Sequence, residues 1–285
     1  MALFLCGLIH FFLNGYGYGD GLYYPSVFLY FPATLRILGF NAITTYKIFS
    51  FVTNFLAIII IYLSTFHMGK SRYAGLVAAT LYAFASYRLI DFIFRCTLGE
   101  GLAFLFIPLI IWGLYEIFSG HPEQWVLFAL GFLGITWSHL LSLAIVTIFV
   151  FILFLINMKT ILTNKAILLA LFKSVILVTG LSAFFFLPMI EQTNTNKLSA
   201  NILLSSAYSN SKIKAGFFFP GAFPLLPLSL WDSYPDANLG YPLLLLPAIF
   251  LLSKRSKENQ TYKIAVKLIA AGFITTFIST EYFPW

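Results

Sequence analysis

The residues best suited to chemistry are four charged side chains in the stretch SYRLIDFIFRCTLGE: Arg88, Asp91, Arg95 and Glu100. Only 9% of the chain is Asp, Glu, Lys or Arg, and strongly apolar stretches flank this one on both sides. Guanidinium groups bind phosphate through paired hydrogen bonds, and ionisable residues at membrane depth usually serve function. The stretch therefore predicts either an anion site, such as one for the phosphate of a lipid carrier, or a structural salt-bridge network that pins two helix ends.

The spacing of these residues predicts one shared surface. If a helix continues through them, Arg88, Asp91 and Arg95 stand at i, i+3 and i+7, so all three share a face and Asp91 reaches both arginines. Gly99 would end that helix, and Glu100 would begin the next one near the favourable N-terminal end of its dipole. We expect a compact polar cluster with a formal charge of zero at the outer membrane border, opening into a wet vestibule.

Four further residues are weaker candidates. Asp20 is the only acid in the first outer loop and could act as a general base, although YGDG is also ordinary turn sequence. Tyr16 and Tyr18 could stack on a sugar ring or belong to an interfacial aromatic belt. His139, in the turn between two apolar segments, could bind carrier phosphate or cap a helix. The sequence shows no Cys/His metal spacing and no phosphate-cradling glycine loop, so it indicates no metal or other cofactor.

The composition requires a lipid environment around these residues. The chain has 285 residues, of which 60% are hydrophobic and 33 are Phe, whereas a soluble domain is about 45–50% apolar and about 25% charged. The net charge of +7 does not indicate nucleic acid binding, because the Lys and Arg residues are scattered in short loops. We therefore expect an all-α, polytopic transmembrane bundle, one transmembrane domain over residues 1–285, with membrane lipids as its partners.

About eight apolar stretches are long enough to span or half-span a membrane. They are residues 43–66, 73–90, 101–118, 125–138, 140–157, 166–190, 241–253 and 264–280.

The basic residues between these stretches predict the orientation. Loops 67–72, 158–165 and 254–263 carry most of them and fall on one side, which the positive-inside rule makes cytoplasmic. The charged cluster and His139 then lie on the outer side. Residues 14–42 are predicted to form a first outer loop with an interfacial helix, and residues 191–240 a long extracytoplasmic loop.

Three segments resemble one family of bacterial membrane proteins. They are NGYGYGDGLYYP at 14–25, YRLIDFIFRCTLGEGLAFLFIPLIIWGLYEI at 87–117, and WSHLLS at 137–142. These segments look like the multispanning proteins labelled 6-pyruvoyl-tetrahydropterin synthase-related and their YfhO-like relatives. That family is similar to GT-C glycosyltransferases, which take a sugar from a polyprenyl-phosphate carrier on the extracytoplasmic face.

The resemblance implies a GT-C-like fold, a place in the bacterial cytoplasmic membrane and a polyprenyl-phosphate-linked sugar as substrate. The residues that would hold the sugar or the carrier phosphate are Arg88, Asp91, Arg95, Glu100, His139, Tyr16 and Tyr18.

The chain departs from the family pattern in one respect. The family carries an Asp with a nearby His upstream of the Gly-Tyr stretch, where GT-C enzymes place a catalytic or metal-linked acid. This chain has only His10 there. We therefore expect an N-terminally truncated, inactive fragment whose catalytic residue is unknown, with a divalent metal as the one cofactor that the resemblance leaves open. The alternatives are a lipid or polysaccharide transporter and a non-catalytic envelope-assembly protein.

Overall fold

The computed structural model describes residues 25–195, 241–252 and 260–278, and within these ranges it contains helices and no strand. Two short 3-10 turns, Val27–Leu29 and Pro122–Gln124, and a π-helical turn, Asp91–Arg95, join the longer elements. The α-helices are α1 (Tyr30–Ile37), α2 (Ala42–Gly69), α3 (Arg72–Ala83), α4 (Ser86–Ile90), α5 (Leu98–Ser119), α6 (Trp125–Thr136), α7 (Leu140–Ile156), α8 (Met158–Thr163), α9 (Lys165–Thr195), α10 (Tyr241–Leu252) and α11 (Gln260–Ile278).

Four of the described helices are long and apolar enough to cross a membrane: α2, α5, most of α9, and α11. A fifth span is possible if α3 and the segment Tyr87–Ile93, which are bent by 46° at their junction, count as one. The predicted class is confirmed, but the described residues do not reach the predicted count of about eight spans. Helices α6 and α7, with 12 and 17 residues, measure only about 18 and 26 Å at 1.5 Å per residue.

Three predicted boundaries differ from the structure. The helix expected over 73–90 breaks after Ala83, because Ala85 has extended backbone. Gly99 does not end a helix: Cys96, in the left-handed region at φ 52°, ends the π turn, and Gly99 lies in the first turn of α5. Helix α9 continues to Thr195, so the start of the predicted loop 191–240 is helical.

Helix α5 lies at the centre of the bundle. Just over half of its most apolar window, 56%, is buried, compared with 22% for α2. It packs against α2 and α6, and its contact with α6 is made backbone to backbone at Gly113, where a Cβ atom would lie 2.3 Å from the amide nitrogen of Phe128. Small residues permit this close approach between helices in a membrane. Helix α5, which carries Glu100 in its first turn, is therefore the central helix to which its neighbours are packed.

Polar contacts join the opposite end of the bundle. The hydroxyl of Tyr115 on α5 donates to the Met68 carbonyl of α2 over 3.2 Å and lies 3.0 Å from the Thr261 hydroxyl of α11. Lys267 of α11 donates to the side-chain oxygen of Asn157, which ends α7, over 2.6 Å. Because polar pairs between helices substitute for absent water in a bilayer, these bonds fix α11 against the core.

The close contact at Gly113 predicts a sharp difference between two alanine substitutions. Gly113→Ala must push α6 away from α5, and overpacking of this kind costs about 1–3 kcal/mol. Gly180→Ala on α9 is the matched control, because its added methyl group would have nothing within 4 Å. We expect a lower thermal unfolding midpoint in detergent for Gly113→Ala and an unchanged or slightly higher one for Gly180→Ala. Equal midpoints for the two variants would contradict the packing described.

Candidate functional site

The charged cluster lies at the junction of α4, the π turn and α5. The π turn is closed by the Cys96 amide, which donates to the Asp91 carbonyl, and the Thr97 amide donates to the same carbonyl over 3.3 Å. Single π turns inside helices often occur at functional sites, because the wider turn redirects the side chains that follow. Here Arg88 turns toward α2 and α3, whereas Asp91 and Arg95 contact Thr97 and Glu100 at the start of α5.

Arg88 forms the sealed half of the cluster and is only 3% exposed. Its Nη2 donates to the Asn54 side-chain oxygen and its Nη1 to the Tyr82 carbonyl, each over 2.9 Å. Its guanidinium carbon lies 4.3 Å from the centre of the Tyr82 ring, and the rings of Phe92 and Phe104 are also near. The break after Ala83 makes the Tyr82 carbonyl available to Arg88.

The partners of Arg88 within the described part of the chain are neutral. No carboxylate there lies within 4.0 Å of it, and its Nε atom has no hydrogen-bond partner among the described residues. The prediction that Asp91 reaches both arginines is therefore wrong for Arg88. The prediction of one shared face is wrong for the same reason, because the helix is broken and its register changes at the π turn.

Asp91 connects the π turn to α5 and is fully buried. Its Oδ1 accepts a hydrogen bond from the Thr97 hydroxyl and lies 3.3 Å from Nη1 of Arg95. Its Oδ2 has no partner among the described residues. Because a buried carboxylate is costly unless it is paired, this contact fixes the position of Arg95.

Arg95 forms the open half of the cluster, and 41% of its side chain is exposed. Its Nη1 lies 3.2 Å from Oε2 of Glu100 and donates to the Tyr87 hydroxyl over 3.1 Å, while that hydroxyl donates to Oε1 of Glu100. The two ion pairs and the hydrogen bond of Arg95 to described residues are all made through Nη1. The Nη2 and Nε donors lie on a guanidinium that is already oriented, and this edge is the one that binds phosphate or carboxylate in a bidentate manner.

His139 lies beside this open half, in the turn between α6 and α7. Its Nδ1 accepts from the Ser142 amide over 3.3 Å and lies 2.8 Å from the Ser142 hydroxyl, so it caps α7. Burial lowers the pKa of His139; the Glu100 carboxylate acts in the opposite direction and Arg95 in the same direction as burial. The capping alternative considered for this residue is therefore observed, and the charges of the cluster also reach it.

The sequence interpretation missed three residues of the site: Tyr87, Thr97 and Asn54. Thr97 and Glu100 form a T-x-x-E pattern, which is typical of a helix N-terminal capping box. In the structure Thr97 is the N-cap of α5 without a side-chain cap bond, because its hydroxyl binds Asp91 instead. Asn54 could have been noticed as an amide in the middle of a membrane-length apolar helix.

The remaining candidates contribute less to this site. Asp20, Tyr16 and Tyr18 lie outside the described residues. Cys96, the left-handed residue that ends the π turn, is exposed. In the part of the chain that the structure describes, no group of three or more His, Cys, Asp or Glu side chains could hold a metal ion. The described residues therefore do not fit the divalent metal that the resemblance leaves open.

An apolar cavity of about 350 Å³ lies between α6, α7 and α9. Phe128, Phe151 and Leu171 are among its lining residues, and Ser174 and Thr147 are among the few polar ones. None of the charged cluster lines the cavity, and its lining suits hydrocarbon better than a polar group.

Comparison with known proteins gives a distant likeness. No known family and no solved structure matches the chain. A protein of Lactococcus lactis subsp. cremoris (strain MG1363), described only as uncharacterized, is 25% identical to it over 282 residues, which cover 96% of this chain and 45% of the relative. The chain thus spans less than half the length of that relative, and neither a family nor an activity follows from the likeness.

The cap at His139 predicts a dependence of stability on pH. Because the pKa of His139 is lower in the folded protein, the unfolded chain binds a proton more readily. The contribution of neutral His139 to the free energy of unfolding is therefore present above the ordinary histidine pKa and is lost as the pH falls below that value. Protonation also turns Nδ1 into a donor, which removes the cap. We expect the thermal midpoint to fall between pH 7.5 and pH 5.5 by more in the wild type than in His139→Asn, which keeps a cap that does not titrate. An identical pH response would exclude this role.

Proposed function

We propose that this chain is part of a GT-C-like glycosyltransferase of the bacterial cytoplasmic membrane, and that Arg95 binds the phosphate of a polyprenyl-phosphate-linked sugar on the extracytoplasmic face. One observation carries the proposal: the guanidinium of Arg95 is oriented by Asp91, Glu100 and Tyr87 through Nη1, while 41% of its side chain is exposed. An oriented guanidinium loses little conformational entropy when it binds a phosphate, which favours affinity.

The local charge balance restricts how such a ligand would bind. Asp91 and Glu100 together carry two negative charges against the single positive charge of Arg95. Attraction by net charge is therefore weak, and recognition depends on the geometry of the two outward donors. In this proposal Asp91 and Glu100 position Arg95, while Arg88, sealed behind aromatic rings, does not touch the ligand. This division of roles replaces the expectation that both arginines meet the phosphate.

The apolar cavity between α6, α7 and α9 supports a lipid-linked ligand. His139 begins α7 beside the charged cluster, and Val150 of the same helix lines the cavity about 16 Å further along, at 1.5 Å per residue. A carrier with a phosphate near Arg95 would have a hydrocarbon chain that extends to this depth. A chain of isoprene units matches the apolar lining better than any polar part of the substrate does.

The catalytic step is not assigned to a described residue. Asp20, the one candidate for a general base, lies outside the described residues, and Glu100 and Asp91 are engaged with Arg95. We therefore propose carrier recognition for this chain, and sugar transfer for a protein as long as the relative from Lactococcus lactis.

A transporter for lipid-linked sugars is the second candidate. The break of 46° between α3 and the segment Tyr87–Ile93 favours it, because discontinuous helices line the substrate path in many transporters. A transporter would move a labelled lipid-linked sugar across the membrane of reconstituted vesicles when no acceptor is present. A transferase would transfer the sugar from the lipid only when an acceptor is present.

Binding of polyprenyl phosphate tests the proposed role of Arg95 directly. We expect Arg95→Ala to weaken binding of polyprenyl phosphate in detergent by about 10–100-fold, the loss expected for a charge-assisted contact of about 1.5–3 kcal/mol. Polyprenol, which has the same hydrocarbon but no phosphate, should bind both proteins equally. Arg36→Ala is the matched control, because Arg36 is exposed on α1 and binds only the Phe40 carbonyl among the described residues. Equal affinity of wild type and Arg95→Ala for polyprenyl phosphate would reject the proposal.

The same substitution has an expected consequence in cells. In a bacterium that carries the full-length gene, Arg95→Ala at normal membrane abundance should abolish a surface glycan or glycolipid. Unchanged envelope carbohydrate at normal abundance would favour the reading of the cluster as a salt-bridge network that only pins two helix ends.

A further inference from the structure

Lys267 is a cation held at a fixed place on an apolar, membrane-length helix. It follows the first residue of α11 by seven positions, about 10 Å along the axis at 1.5 Å per residue. Its Nζ donates to the Asn157 side-chain oxygen over 2.6 Å, and the Asn157 Nδ2 donates to the Leu153 carbonyl over 2.8 Å. Because an ammonium group has three donors, this contact orients Lys267 and occupies only one of them.

No carboxylate of the described residues neutralises this ammonium group. The ion pairs within the described ranges are formed by Arg95 and His121, and none of them includes a lysine. Asn157, which accepts from Lys267, is neutral. A charge at membrane depth is costly unless an anion pairs with it. Because the Lys267 side chain is only partly buried, an anion from outside the protein can reach it.

Two further lysines lie close to Lys267 in the structure. Lys263 precedes it by four residues on α11, so the two share a face of the helix, and Lys263 is exposed. Lys159 follows Asn157 by two residues at the start of α8 and is also exposed. Helices α7, α8 and α11 contain no Asp or Glu. The junction of these helices therefore carries a net positive charge, and we call these three residues the lysine cluster.

Exposed apolar side chains beside the lysine cluster favour a lipid over a free anion. Met158 and Leu162 of α8 are 47% and 68% exposed, and Leu155 near the end of α7 is 49% exposed. Lysines that extend along apolar surface place their ammonium groups at the level of the lipid headgroups. Basic groups between transmembrane helices bind anionic headgroups in this way. The cluster thus combines cations for a phosphate with a surface for hydrocarbon chains.

We propose that the lysine cluster binds the headgroup of an anionic phospholipid, such as phosphatidylglycerol, with its acyl chains against the exposed apolar side chains of α7 and α8. Asn157 has a positioning role, because it orients one of the three ammonium groups. The inference does not rest on the proposed function. The cluster lies at the end of the bundle opposite Arg95, since Thr261 of α11 lies 3.0 Å from the hydroxyl of Tyr115, near the C-terminal end of α5.

Native mass spectrometry of the full chain in detergent, with equal amounts of phosphatidylglycerol and phosphatidylcholine, tests the proposal. The wild type should retain phosphatidylglycerol in preference to phosphatidylcholine. Lys263→Gln and Lys267→Gln should each weaken phosphatidylglycerol binding by about five-fold, the effect expected for one lysine near an anionic headgroup. Lys47→Gln is the matched control, because Lys47 is exposed near the start of α2, whose other end contacts Tyr115. Equal retention of the two lipids, or equal losses in all three variants, overturns the proposal.

Asn157→Asp separates lipid binding from a merely structural role of the lysines. The new carboxylate would pair with Lys267 and compete with the headgroup, so binding of phosphatidylglycerol should weaken by about five-fold while the thermal midpoint stays the same or rises. Unchanged phosphatidylglycerol binding in Asn157→Asp overturns the proposal.

Inorganic phosphate distinguishes a lipid site from a site for a free anion. At the concentration of the lipid, it should leave phosphatidylglycerol bound to the wild type, because it lacks the acyl chains. Complete displacement by inorganic phosphate would overturn the assignment to a lipid. These measurements contain no polyprenyl phosphate and concern the end of the bundle opposite Arg95, so failure here and failure of the proposed function are distinguishable.

Discussion

The arrangement of the whole site depends on one buried carboxylate. Asp91 is fully buried and binds Thr97 and Arg95, the residues on either side of the point where the π turn ends and α5 begins. An ionised side chain at this depth is stable only while it is paired, so the positions of Arg95 and of the first turn of α5 are linked. Without this contact Arg95 would keep only Glu100 and Tyr87 as partners among the described residues, and the π turn would be closed only by its backbone hydrogen bonds.

The packing of the bundle places the two arginines near Asp91 in different surroundings. Helix α5, which carries Glu100 in its first turn, is held against α6 by backbone contact at Gly113. On one side, Arg88 is enclosed by aromatic rings and neutral oxygens; on the other, 41% of the Arg95 side chain is exposed. One arginine therefore serves structure and the other is available to a ligand. Of the four charges, Asp91 and Glu100 both pair with Arg95, whereas Arg88 binds neutral oxygens.

The helical class and the presence of apolar, membrane-length helices follow from composition and apolar run length alone. The relation between Arg88 and Asp91 was not predictable, because spacing arguments assume an unbroken α-helix. The extended backbone at Ala85 and the left-handed Cys96 change which side chains share a face of the helix. Neither Ala nor Cys is a residue type that predicts such a conformation. Tertiary contacts determine where the helix breaks and which residues meet, and the local sequence pattern carries no information on those contacts.

The most direct test of the two-halved site is the accessibility of its two arginine positions in intact cells. In a Cys6→Ser, Cys96→Ser background, a membrane-impermeant thiol reagent applied from outside should label Arg95→Cys rapidly. It should not label Arg88→Cys until the protein is unfolded. Equal labelling of both positions, or labelling of position 95 only after the membrane is disrupted, would contradict an outward-facing Arg95 beside a sealed Arg88.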